Sequence, residues 1–168
     1  PGSLSTFLGS RPEFAPGTVW YWPVEPIQSL DAPIRFNPES NYWLDVHLAL
    51  IHEGLRRSQN RYLVGIPDLI ENLDTLASLR GDTPLLFDLV ERPDWVRTKL
   101  AEINQAWFAA YDLIYNLVKQ DDGGSVFAAF MLWGPGKTAK LQCDISACLS
   151  PRMFNEIVVP ALQEQINW

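Results

Sequence analysis

Apolar positions follow two different periods along this chain, and each period predicts an element. Trp43, Val46, Leu50 and Leu55 lie at near-helical spacing, and Asn37 followed by Pro38 offers a cap and a first helical position, which predicts a helix over 38–57. Arg61 to Ile66 is a short, partly β-branched run that stops at Pro67, the pattern of a buried strand. Leu69, Ile70, Leu73, Leu76 and Leu79 then recur at helical intervals up to Gly81, a helix-stop residue. Thr83-Pro84 opens a shorter helix through Val90. Pro93 opens a long one whose apolar face is Val96, Leu100, Ile103, Trp107, Tyr111, Ile114 and Val118, and Asp121 to Gly124 end it.

Val126 to Leu132 is a continuous apolar run, as in a strand covered on both faces in a parallel sheet. Its exit loop is Trp133 to Lys140, and Leu141 to Ile145 reads as a brief extended piece. Ser150-Pro151 caps a helix carrying Met153, Phe154, Ile157 and Val158, which Pro160 interrupts and which resumes to Trp168. Alternating strands and helices predict an α/β fold with layers around a parallel sheet. Residues 1–37 differ from the rest. Pro1, Pro12, Pro16, Pro23, Pro26 and Pro33, with Pro38 just beyond, and the cluster Trp20-Tyr21-Trp22 predict an extended or turn-rich stretch in which only Thr18 to Trp22 forms a strand.

Composition narrows the function classes. The 168 residues hold 13 Lys+Arg against 20 Asp+Glu, a formal charge of −7, which argues against a nucleic-acid partner because phosphates are bound mainly by clustered Lys and Arg. Hydrophobic residues make up 47% and the chain has 7 Trp, 8 Phe and 5 Tyr, enough for one packed unit spanning 1–168. No apolar run approaches the ~18 residues of a membrane span, and the N-terminus lacks a signal-peptide pattern, so a cytoplasmic, membrane-free location is expected. Cys143 and Cys148 are the two cysteines; their spacing fits no common zinc pattern, and no His lies nearby, so no metal site is expected within the chain.

Candidate chemistry concentrates at the predicted strand exits, where parallel α/β folds place ligands. Asp68 follows Gly65-Ile66-Pro67, with Asn72 and Asp74 close behind; Asp is a favoured capping residue, so Asp68 is expected first to cap the next helix, a role that can coexist with one at the site. Trp133-Gly134-Pro135-Gly136-Lys137-Thr138 lacks the phosphate-loop spacing, since Met131 stands where a Gly is required. What remains is a glycine-containing loop whose Trp133 and Lys137 suit a planar or anionic ligand. Strand alternation places Asp144 and Ser146 on one side and Cys143 and Ile145 on the other, so Asp144 is a candidate acid, base or ligand contact. Trp20 and Trp22 offer a platform for a sugar or tetrapyrrole, or else pack a core.

Three stretches in order carry a resemblance. They are Gly65-Ile66-Pro67-Asp68-Leu69 through Leu76-Ala77-Ser78-Leu79-Arg80-Gly81, Leu85-Leu86-Phe87-Asp88-Leu89 through Pro93-Asp94-Trp95-Val96, and Leu149-Ser150-Pro151-Arg152-Met153-Phe154 through Val159-Pro160. Together, over roughly 60–165, they resemble the uroporphyrinogen decarboxylase family, which also includes corrinoid-dependent methyltransferases. The resemblance implies a (β/α)₈ TIM barrel and a carbon–carbon lyase. Because such a barrel takes about 200 residues at minimum, it further implies a partial barrel, a fragment inactive alone whose open edge is covered by the missing barrel half or a second copy.

Under that resemblance Asp68 and Asp144 are the catalytic candidates, and Trp20, Trp22, Asn72, Asp74, Trp133, Lys137 and Ser146 contact a small-molecule substrate. Asp144 stands where the family has a substrate-contacting serine, and the family's tyrosine, arginine loop and His-x-Cys zinc pair have no counterpart. No cofactor is expected within this chain; corrinoid or zinc belongs to a full-length parent of the methyltransferase kind. Two further alternatives stand beside it. One is a non-catalytic binding module for a planar or sugar-like ligand, the other a structural or regulatory subunit.

Overall fold

The computed structural model describes residues 2–24 and 32–168. It is a helical assembly with two small antiparallel sheets, and the expected parallel sheet and partial barrel are absent from the described residues. Helix α1 (Ser3–Phe7) leads into a hairpin of β1 (Ser10–Ala15) and β2 (Thr18–Pro23). Helices α2 (Tyr42–Ser58), α3 (Asn72–Arg80), α4 (Asp82–Glu91) and α5 (Pro93–Val118) follow. Strands β3 (Ser125–Phe127) and β4 (Leu132–Gly134) form the second hairpin, around a 3₁₀ turn at Ala128–Phe130. A second 3₁₀ turn, Asp144–Cys148, precedes α6 (Pro151–Met153), a π-helical turn at Phe154–Val158 and α7 (Val159–Asn167).

Helix α5 organises the core. Its face Val96, Leu100, Ile103, Trp107, Tyr111, Ile114 and Val118 is buried throughout, against Leu73 and Leu76 of α3, Leu85 and Leu89 of α4, and Ile157 and Val158 of the π-helical turn. A stripe at this spacing covers one side of a helix, and its burial supplies most of the driving force for packing. Buried Asp88 accepts from Arg80 Nε at 2.8 Å and from Arg92, tying the end of α3 to the end of α4. Charge-assisted contacts of this kind offset the cost of burying a carboxylate.

Several elements depart from the sequence expectation, each for a local reason. Residues 1–37 were expected to be mostly irregular, yet they hold α1 and a hairpin; the portion at Pro1 and 25–31 lies outside the described residues. Pro16-Gly17 makes the hairpin turn: Pro fixes φ at the first corner and Gly17 takes φ +81° at the second. Helix α2 starts four residues later than expected, because Asn41 and not Asn37 caps it, its side chain accepting from Leu44 N at 3.2 Å. The buried stripe of α2 is accordingly Leu44 and Ile51, and Leu50 is exposed.

The two runs read as parallel strands meet at one point only. Ile66 N donates to Val126 O at 2.7 Å and Ala128 N to Ile66 O at 2.9 Å, a single parallel bridge between Ile66 and Phe127. Beyond it, the 3₁₀ turn and Met131, at φ 54°, reverse the chain, so that Leu132–Gly134 runs back antiparallel on Ser125–Phe127. Phe130, Met131, Leu132 and Trp133 are therefore exposed, where the continuous apolar run had suggested cover on both faces. Leu141 to Ile145 is likewise irregular before it enters a 3₁₀ turn. Pro160 does not break the last helix, because it falls at the start of α7, just after the π-helical turn.

Candidate functional site

Helix α1 docks on the segment before α3: Ser3 N and Leu4 N donate to the carbonyls of Asp68 and Leu69 at 3.2 and 3.0 Å. This satisfies two of the N–H groups that a helix start leaves without internal partners. It also fixes the chain where it turns sharply into α3. Ile70 and Asn72 there adopt φ 49° and φ 63°. A β-branched residue in that region is strained, and such strain persists only where the surroundings enforce it.

The turn presents three carboxyls, Asp68, Glu71 and Asp74, to the segment Lys140–Ile145. Lys140 Nζ lies 2.8 Å from Asp68 Oδ2. Gln142 N donates to Glu71 Oε1 at 2.6 Å, and Asp144 N and Ile145 N donate to Asp74 at 2.7 and 3.0 Å. Asp74 thus caps the 3₁₀ turn Asp144–Cys148. The side chain of Gln142 adds a bond to Asp144 Oδ2 at 3.1 Å and a longer one to Asp74 Oδ2 at 3.4 Å.

Burial sets the proton state of Glu71. The residue is 1% exposed, and desolvation pushes its carboxyl up to about 8, with Asp68 and Asp74 adding to the rise; the bond from Gln142 N and the Lys140 charge only partly offset it. Burial also pushes the Tyr21 hydroxyl up to about 12, with Asp68 contributing. The Cys143 thiol rises to about 12 by desolvation and the nearby Asp74 charge, so it is no nucleophile at neutral pH.

Between this acidic lip and β2 lies a cavity of about 470 Å³. Trp20, Trp22, Asp74 and Asp144 all border it, although they come from three distant parts of the sequence; Tyr21, Ile70, Gln142 and Cys148 border it as well. Along β2 exposure alternates: Val19, Tyr21 and Pro23 are half-buried, while Trp20 and Trp22 are exposed. Among the described residues the border carries Asp74, Asp82 and Asp144 and no Lys or Arg.

The other candidate residues lie elsewhere. Asp68 sits behind the lip on Lys140, and Asn72 is buried at the start of α3, where its Oδ1 accepts from Leu73 N at 3.0 Å and its Nδ2 has no partner among the described residues. Trp133 is exposed on β4 beside Gly124. Lys137 reaches Asp112 at 3.0 Å and lies 3.2 Å above the Trp168 ring, away from the cavity. Ser146 is half-buried within the 3₁₀ turn, outside the cavity border. Glu71, Lys140 and Gln142 were not singled out from sequence, and Tyr21 was visible only as a member of the cluster Trp20-Tyr21-Trp22. The spacing of Asp68, Glu71 and Asp74 at intervals of three was the available signal for the first.

Among the described residues no group of three or more His, Cys, Asp and Glu side chains is placed to hold a metal ion, and no helix is long and apolar enough to cross a membrane. Comparison of the chain with family models, with curated proteins and with solved structures finds no match.

Proposed function

We propose that the cleft between β2 and the Gln142–Cys148 segment binds a small molecule with a planar or sugar-like face that is neutral or cationic. One observation carries the reading: Trp20, Trp22, Asp74 and Asp144 border a single cavity large enough for such a ligand. Indole rings offer flat apolar area with a negative π-face, and carboxylates accept from hydroxyl or ammonium groups. An acidic border without Lys or Arg disfavours a polycarboxylate, since like charges raise the cost of bringing the two together.

A calorimetric titration tests it, with cellotetraose as the neutral polyhydroxyl probe, acriflavine as the planar cation and coproporphyrin as the planar polyanion. Saturable heat is expected with at least one of the first two and not with coproporphyrin at low salt, and Trp22→Ala should abolish it. Absence of saturation with both, or tightest binding of coproporphyrin, overturns the reading.

A second reading, a carbon–carbon lyase of the decarboxylase type, is supported by the position of the first stretch that resembles the uroporphyrinogen decarboxylase family. That stretch carries Asp68, Glu71 and Asp74, and Asp144 faces it from the cavity border. In such a reaction the carbon–carbon bond breaks, carbon dioxide leaves, and the electron pair left on carbon takes a proton from an acid. The discriminating measurement is carbon dioxide release from uroporphyrinogen. Release that falls at least tenfold in Asp144→Asn favours the lyase; no release from the chain, with binding intact, favours the binding site alone.

A further inference from the structure

Behind the acidic lip lies a second, much smaller cavity of about 10 Å³. Asp68, Glu71, Trp107, Tyr111, Phe127 and Lys140 border it, so it has a polar wall on the α3 side and an aromatic wall on the α5 side. We propose that this cavity binds one water molecule, which accepts from Trp107 Nε1 and bonds to the Glu71 carboxyl, joining the lip of the cleft to the core helix α5.

Three observations support the site. The volume is close to the ~10–15 Å³ that one water needs and leaves no room for an organic ligand. Trp107 is 4% exposed and its Nε1 has no acceptor among the described residues, whereas buried indole N–H groups ordinarily find one. The other polar groups of the border are already engaged. Tyr111 Oη donates to Thr138 O at 2.9 Å and accepts from Thr138 N at 2.7 Å, and Lys140 Nζ is held by Asp68. Glu71 borders the same cavity and holds Gln142 N with one oxygen, Oε1.

The groups facing Glu71 are Asp68 and Asp74, which disfavour its ionisation, and Lys140, which favours it; the Cys143 thiol and the Tyr111 hydroxyl complete its titratable surroundings. When Glu71 loses its proton, the water must turn a hydrogen toward the carboxylate. Its bond from Trp107 then strengthens, because the water is polarised by the charge. The indole should therefore report the ionisation of a residue with which it shares only the water.

The test uses the whole chain, ¹⁵N-labelled, with the Trp107 indole resonance assigned by its loss in Trp107→Phe. A cross-relaxation peak between that indole proton and water is expected, of the sign given by a water resident for nanoseconds or longer. The indole shift should titrate with a midpoint near 8, and Glu71→Gln should keep the water peak and remove the titration. Trp168→Phe, which alters the edge-to-face ring contact on Trp107 but not the cavity border, should keep both, and the shift it causes in the neighbouring indole assigns Trp107 if Trp107→Phe does not fold. Absence of the water peak in the parent chain, or an unchanged titration in Glu71→Gln, overturns the proposal.

Discussion

Lys140 and Asp68, 72 residues apart, form an ion pair with Nζ to Oδ2 at 2.8 Å that is mostly removed from solvent. The ammonium also lies 5.8 and 5.6 Å from the rings of Phe127 and Phe130, so it occupies a setting of low polarity. Removing one member of such a pair leaves the other charge buried and uncompensated, which costs more than the pair itself contributes. Lys140→Met should therefore lower stability by about 3 kcal/mol, while the double variant Asp68→Asn with Lys140→Met should lose less than the sum of the singles. Urea unfolding of the four chains measures this, and strict additivity would show that the two groups do not interact.

Glu71 gives the chain a pH dependence of definite sign. Its folded-state value of about 8 lies above the ordinary carboxyl value of 4.5, so between those limits the folded chain holds a proton that the unfolded chain has released. Linkage then makes this contribution fully present below about 4.5 and lost as pH rises toward 8. Glu71→Gln keeps a neutral side chain of the same shape at every pH. It should be more stable than the parent chain at pH 8.5 by a few kcal/mol, and the difference should shrink as the pH falls toward 5. Thermal melts of both chains across that range give the answer, and parallel profiles would exclude Glu71 as the titrating group.

Which parts of this arrangement could be read from sequence follows from the length and uniqueness of each pattern. The seven apolar positions of α5 repeat along a helix of 26 residues, and no other element satisfies them, so helix and buried face were both legible. The run Val126–Leu132 is short and apolar throughout, and a periodicity argument cannot distinguish a covered strand from a chain that turns at Met131. The first hairpin was obscured by Pro12, which demotes a strand in sequence but is tolerated on the outer strand of a two-stranded sheet. At the site, the aromatic cluster and the acidic residues were each visible locally. Their meeting in one cavity depends on β2 packing against α3, a contact between segments some fifty residues apart that no local spacing encodes.

Asp74 illustrates the difference between a residue that borders the cavity and one that builds it. Its carboxylate accepts from the backbone N–H groups of Asp144 and Ile145, so its loss should release the 3₁₀ turn before it affects anything else. Asp74→Ala is expected to cost about 1–2 kcal/mol, the range for losing a capping side chain. It should also speed amide exchange at 144 and 145 with little change along α5. Hydrogen exchange followed by NMR resolves these amides, and unchanged protection at both would remove the capping role.

Gly65 controls the one point where the two segments once expected to be parallel strands touch. A Cβ placed on it would lie 2.6 Å from Val126 O and 3.1 Å from Ala128 N, backbone atoms on either side of the bridge partner Phe127 that cannot move aside independently. Gly54, inside α2, is the natural control. A Cβ there meets only the Val64 side chain, at 3.3 Å, and an alanine favours the helix by up to about 1 kcal/mol. Gly65→Ala should therefore cost about 2–3 kcal/mol by forcing the backbones apart, whereas Gly54→Ala should change stability by less than about 1 kcal/mol. Separation of the segments breaks the bonds between Ile66 and its partners Val126 and Ala128, so exchange at the Ile66 and Ala128 amides should rise in Gly65→Ala alone. Equal stability of the two variants would mean that the bridge yields freely, and that the segment carrying Asp68 is not held in place by its neighbour at Phe127.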